Sequence, residues 1–335
     1  MRVRRASLVL IALLGAGGCT GPDPAEPDGR PASPAAPPAA SPGLTWRALA
    51  PAPSARTEVA AAVAGTRAYV VGGFQGDGGT VATVEVYDTS TGRWERGPDL
   101  PVAVNHAMAA TVGDTVYVFG GYLSGRDVSP AAYRLEPAGW RAVAPLPSGR
   151  AAGTAVAQAG KIYIAGGIAP GGLATQMLVY DPGSDTWATA PGPPTPREHL
   201  GGGGFDGRVY TVGGRTSAGN LDAFEVFDPG TGGWTALPPL PTRRGGLAAA
   251  VTCAGHLVAV GGEARATFPE AEAYDVRAGR WQSLPPLPTP RHGLGVVTLG
   301  TVLYTFAGGP RPGLFVADTA EAIDLAPLGA CPTPG

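Results

Sequence analysis

Lys161-Ile162-Tyr163-Ile164-Ala165-Gly166-Gly167 is a short β-branched and aromatic run that stops on two glycines, the pattern of a strand entering a sharp turn. The same ending returns at Gly72-Gly73, Gly120-Gly121, Gly213-Gly214, Gly261-Gly262 and Gly308-Gly309, at intervals of 46 to 48 residues. Six tryptophans, Trp46, Trp94, Trp140, Trp187, Trp234 and Trp281, keep the same beat. Two independent markers at one period near 47 residues define an internal repeat of propeller-blade length.

Each repeat has the same order. An Arg after a Pro/Ser turn begins a small-residue strand, as in Arg291-His292-Gly293-Leu294-Gly295-Val296-Val297. A second strand ends in the glycine pair. A third ends in an aromatic residue and Asp, as in Val84-Glu85-Val86-Tyr87-Asp88, and a fourth carries the tryptophan before a Leu-Pro turn such as Leu284-Pro285. This order resembles the kelch repeat, and the resemblance covers Leu44 to about Leu325. The second unit departs from it, with Val104 in the Arg position and no Tyr-Asp before Trp140.

The ends imply how the ring closes. Trp46 precedes any glycine pair, while Glu321-Ala322-Ile323-Asp324 is followed by no tryptophan. The expected fold is therefore all-β, a six-bladed kelch propeller in which Leu44 to Leu49 supplies the outer strand of the last blade and covers its open edge. Composition agrees. With 53 Gly, 36 Pro and only 15% charged residues among 335, the chain is built for short strands and tight turns, which excludes a helical bundle. A formal net charge of -2 gives no footprint for nucleic acid.

Residues 1–19 read as an export signal. Arg2, Arg4 and Arg5 precede an apolar stretch from Ala6 to Leu14 that is too short to span a bilayer, and Gly15-Ala16-Gly17-Gly18-Cys19 follows. The small residues before Cys19 resemble the lipobox of bacterial lipoproteins, although Ala16 stands where that family usually has Leu. The resemblance implies lipidation of Cys19, with ordinary signal-peptide cleavage near Gly18 as the alternative. Residues 20–43 are rich in Pro and Ala and are expected to be a disordered tether, leaving 44–335 as the propeller.

Antiparallel strands put the repeated arginines and the loops after the glycine pairs on one face. The turns before the second strands, the C-terminal tail and the tether lie on the other, which the anchor is expected to hold toward the membrane. On the free face, Arg56, Arg150, Arg197, Arg243 or Arg244, and Arg291 read either as an anion-attracting ring or as scaffold arginines bound to backbone carbonyls between blades. Two residues after the Arg position come Glu58, His106, Ala152, His199, Gly246 and Gly293, with His292 one place earlier in its blade. The three histidines read as exposed residues of the channel mouth. No metal, cofactor or catalytic residue is expected. The most variable loops add Phe74, Tyr122, Arg126, Arg215, Glu263, Arg265, Phe268, Arg311 and Phe315, and arginine beside aromatics suits a protein or glycan contact. Gly201-Gly202-Gly203-Gly204 reads as an inner strand crowded near the axis, not as a phosphate loop. Cys253 and Cys331 fall on the second face in neighbouring blades, where a disulfide is geometrically possible in an exported protein.

Two functions compete. The first is a non-enzymatic extracytoplasmic lipoprotein that binds a protein or glycan at its loop face. The second is a carbohydrate-active enzyme, because the kelch resemblance extends to bacterial sialic acid mutarotases, and Glu58, Glu263 and the arginines are the matching polar groups. Galactose-oxidase copper chemistry lacks support, with only four His and with Cys253 on the far face.

Overall fold

The computed structural model describes residues 43–125 and 127–332. The export signal with Cys19, the tether up to residue 42, and Arg126 lie outside the described residues.

Six four-stranded antiparallel sheets form the blades. The first runs Ala60–Ala64, Arg67–Val71, Val84–Asp88 and Arg93–Arg96 from axis to rim. The next four repeat this order, with inner strands Met108–Val112, Thr154–Gln158, Gly201–Phe205 and Ala248–Val251. The sixth has Gly295–Leu299, Val302–Phe306 and Ala320–Asp324, and its rim strand is Trp46–Ala48. Trp46 pairs with Ile323 and Ala48 with Glu321, so the first described strand completes the last blade. Each inner strand packs against the inner strands of both neighbours, which closes the ring.

The tryptophans recur because each one clips its blade to the previous one. Trp94, Trp140, Trp187, Trp234 and Trp281 donate their indole N–H to the carbonyls of Ala50, Pro98, Ala144, Pro191 and Pro238, where the preceding rim strand exits. Trp46 makes the same bond to Pro285 across the closure at 2.8 Å. Half-buried indoles thus keep an apolar face on the core and a satisfied N–H at its edge. Apolar clusters fill each gap between adjacent blades, such as Phe119, Ile162, Ile164 and Tyr180.

Near the axis the backbones are too close for side chains. A Cβ at Gly203 would lie 2.5 Å from a Val251 methyl, and one at Gly202 would lie 2.8 Å from Thr154 Cγ2. The four-glycine run is therefore an inner strand made bare to fit between two others. A channel of about 480 Å³ remains, lined by alanines, glycines, valines and threonines of all six inner strands.

One register differs from the sequence reading. In five blades the second glycine of the pair donates its N–H to the carbonyl at the next blade's Arg position, as Gly73 does to Val104 and Gly262 to Arg291. In the sixth, Gly308 makes that bond, to Arg56, so the pair is Ala307-Gly308 rather than Gly308-Gly309. Ala307 takes the left-handed backbone (φ 56°) that glycine adopts in the other blades. Cys253 and Cys331 are joined as a disulfide, which pins the tail to the turn before a second strand.

Candidate functional site at the channel mouth

The arginines form no ligand-facing ring. Arg56, Arg197, Arg244 and Arg291 are fully buried and Arg150 nearly so. Each reaches the carbonyl at the first position of its own blade's glycine pair: Gly72, Gly166, Gly213, Gly261 and Ala307 respectively. The bonds are made within blades, not between them. Four of the five also pair with a buried third-strand carboxylate, Glu85, Glu225, Glu272 or Glu321, at 2.5–2.9 Å. The second carboxylate oxygen accepts from Ser54, Thr195, Thr242 or Thr289, two residues before the arginine. This is a structural post. Arg243 stands apart, exposed and paired with Asp222 at 3.0 Å.

The position two residues on forms the rim of the channel. Glu58, His106, Ala152 and His199 all have φ between 51° and 54°, and Gly246 and Gly293 have φ 69° and 57°. Their backbones join head to tail: His106 N–H to Glu58, Ala152 to His106, His199 to Ala152, Gly246 to His199, Gly293 to Gly246, and Val59 back to Gly293, all at 2.8–3.2 Å. This closed hydrogen-bonded belt demands a left-handed residue in every blade. Four non-glycine residues accept a conformation that is unfavourable for L-residues.

Side chains from this belt and its neighbours converge. The histidines are not exposed, since the side chains of His106, His199 and His292 are 13%, 8% and 1% accessible. Burial of His106 and His199 follows from the belt, which turns these two side chains over the channel mouth and against one another. Glu58 places one oxygen 3.2 Å from His106 Nε2 and the other 3.1 Å from His292 Nδ1. Gly293 allows this reach, because a Cβ there would lie 2.6 Å from the Glu58 carboxyl carbon. Arg215 donates to Glu263 at 2.6 Å and to His199 Nε2 at 3.0 Å, and lies 3.4 Å from Glu198. Phe74 and Tyr122 meet the His106 ring edge-on. Asn105 and Glu198 were missed by sequence reasoning. Both directly precede a belt histidine, and each pairs with the residue after its blade's glycine pair.

The charges are ordered. Burial alone raises the Glu58 carboxyl, but His106, His292 and His199 outweigh it and hold the group far below the usual carboxylate range. Burial pushes the His106 imidazole down to about 4 against the pull of Glu58. Burial also acts to lower His292, yet Glu58, Glu263 and the Arg311 carbonyl raise it above its ordinary value. Both His292 nitrogens face acceptors, Nε2 lying 3.0 Å from the Arg311 carbonyl. Two sets offer metal-ligand geometry, Glu58 with His106 and His199, and Glu58 with Glu263 and His292.

Outside this network, Arg265 is exposed and shares a groove of about 800 Å³ with Arg243, Phe268 and Asn220. Tyr122 and Phe268 are half-buried, and Arg311 is exposed and lies 5.4 Å over the Phe315 ring.

With blades, belt and posts in view, comparison with known proteins decides the family. The KLHDC2/KLHL20/DRC7 Kelch-repeats domain matches residues 58–192 and 106–309, well over half of the chain. The chain belongs to the kelch-repeat family. This kelch propeller is 33% identical over 168 residues to the Kelch-like protein terF of Aspergillus terreus, covering 44% of this chain and 36% of that one. It is 32% identical over 144 residues to Kelch-like protein 35 of Mus musculus, covering 42% and 24%. Similarity to the N-acetylneuraminate epimerase of Haemophilus influenzae is 37% over 101 residues, covering 28% and 26%. The matches span about a quarter to a third of these relatives' length.

Proposed function

We propose that this kelch propeller is a protein-binding module on the outer side of a membrane, with its partner seated on the face that carries the channel mouth. One observation carries the reading. Leu314 and Phe315 are 58% and 48% exposed, while among the described large hydrophobic residues only Val102 is otherwise exposed. Arg311 stands over Phe315, and the loop is tied to the scaffold through Gly313 N–H to Glu263 and the Arg311 carbonyl to His292. A fixed aliphatic–aromatic–arginine cluster is the composition of an interface anchor, and its fixed backbone lowers the entropic cost of docking. The exported location is supported by the basic, apolar and small-residue pattern ending at Cys19 and by a disulfide, a bond that persists in oxidising compartments.

The test is in-cell crosslinking followed by identification of captured envelope proteins. A defined partner retained by wild type and lost with Leu314→Ser/Phe315→Ser, at unchanged thermal stability, is the expected result. An identical capture profile for both proteins would sink the reading.

A second reading places sugar-acid chemistry at the mouth, favoured because Glu58, Arg215, Phe74 and Tyr122 gather around His106 and His199. Against it, the Arg215 guanidinium is already engaged by Glu263, His199 and Glu198, leaving it poorly free for a substrate carboxylate. Proton NMR of N-acetylneuraminate would decide: interconversion catalysed by wild type and lost in Glu58→Gln would replace the binding reading.

A further inference from the structure

The contact between Glu58 and His106 is chemically incomplete. His106 Nδ1 lies 2.6 Å from Asn105 Oδ1. The Asn105 amide can face only that way, because its nitrogen points at the Tyr122 carbonyl (3.4 Å) and the Thr80 hydroxyl (2.9 Å). In the neutral ring Nδ1 therefore carries the proton, and Nε2 turns a lone pair toward the Glu58 carboxylate, 3.2 Å away. Two acceptors face each other.

His199 Nε2 meets the Arg215 guanidinium, a donor only, so Nε2 also presents a lone pair. Its buried Nδ1 lies 3.4 Å from a Glu198 oxygen and makes no hydrogen bond. His106 thus has one nitrogen held by an oxygen acceptor and the other aimed inward, the outer-shell arrangement that orients metal-binding histidines. One donor atom from each of Glu58, His106 and His199 lies within 4.8 Å of the other two. The left-handed belt fixes the backbones of all three.

We infer that Glu58, His106 and His199 bind a divalent first-row metal ion, with Zn²⁺ the best match to two imidazoles and one carboxylate, leaving a coordination position open toward the channel mouth. The alternative set is weaker, because both Glu263 oxygens already accept, from Arg215 and from the Gly313 N–H. Arg215 is the built-in competitor. On metal binding it releases His199 and keeps Glu263. The inference is independent of the protein-binding reading, since it uses no residue of the Leu314–Phe315 loop.

The experiment is calorimetric titration of the chelator-treated full chain with zinc chloride, with Co²⁺ absorption as a second readout. One equivalent is expected to bind, with Co²⁺ bands of a four- or five-coordinate site. His106→Asn and His199→Asn should abolish this binding, and asparagine tolerates the left-handed backbone, so the fold is kept. Asn105→Ala, which only orients His106, should weaken affinity on the order of 10-fold. Arg215→Gln should bind zinc at least as tightly as wild type. The inference is overturned if folded wild type takes up no zinc, or if its uptake is unchanged in the two histidine variants.

Discussion

Two positions separated by one residue behave in opposite ways in this propeller. The Arg position is nearly constant and wholly interior, and the belt position two residues later varies and faces the channel mouth. Arg197, Arg244 and Arg291 hold the strand ends of their blades, whereas Glu58, His106 and His199 hold one another across blades. Repetition marks scaffold, because each blade must solve the same turn. Variation within an invariant backbone marks a place where side chains are free to serve something else.

Departures within the Arg position sharpen the contrast. The second blade has Val104 for the Arg and Tyr133 for the Glu, and both enter an apolar cluster with Val71 and Val118. A buried pair has been exchanged there for packing, an exchange that is often neutral or stabilising. The third blade keeps Arg150 but has Leu178 in the carboxylate position, and burial lowers the Arg150 guanidinium to about 10.

The largest effect is expected from Arg244→Met, which leaves Glu272 buried and unpaired; destabilisation of about 3–5 kcal/mol should appear in urea unfolding. Arg244→Met combined with Glu272→Leu should recover most of that loss, as the second blade illustrates. Arg150→Met comes next, at about 1–2 kcal/mol, because only carbonyl acceptors lose a partner. Equal losses for Arg150→Met and Arg244→Met would break the claim that the carboxylate is what makes the post sensitive. Gly293→Ala should cost about 1–3 kcal/mol, since its Cβ meets the Glu58 carboxyl, and should also weaken zinc uptake. The smallest effect is a gain. Ala152→Gly should stabilise by about 0.5–1 kcal/mol by removing left-handed strain at the one belt side chain with no polar partner. A loss there, read by thermal unfolding, would mean that the belt does not strain its non-glycine members.

Much of this was legible beforehand because it is local or periodic. The glycine pairs announce a tight turn, the tryptophans a repeated clip, and the orphan Trp46 the closure. The sixth glycine pair was misplaced by one residue because Ala307 takes a glycine conformation, and only the carbonyl it approaches reveals the register. The arginines could be read two ways because a guanidinium suits a ligand carboxylate as well as Glu85 or Glu225. Their partners lie some thirty residues on, across a strand whose pairing places them.

Sequence by itself determined the blade count, the all-β class, the closure and the row of positions from Glu58 to Gly293, since backbone sterics and a fixed period act along the chain. Only the tertiary structure decided that the histidines are buried, that Glu58 reaches His292 through the space left by Gly293, and that Arg215 stands between Glu263 and His199. Those contacts join residues from different blades. Their distances depend on how six sheets meet around one axis, and no local pattern encodes that.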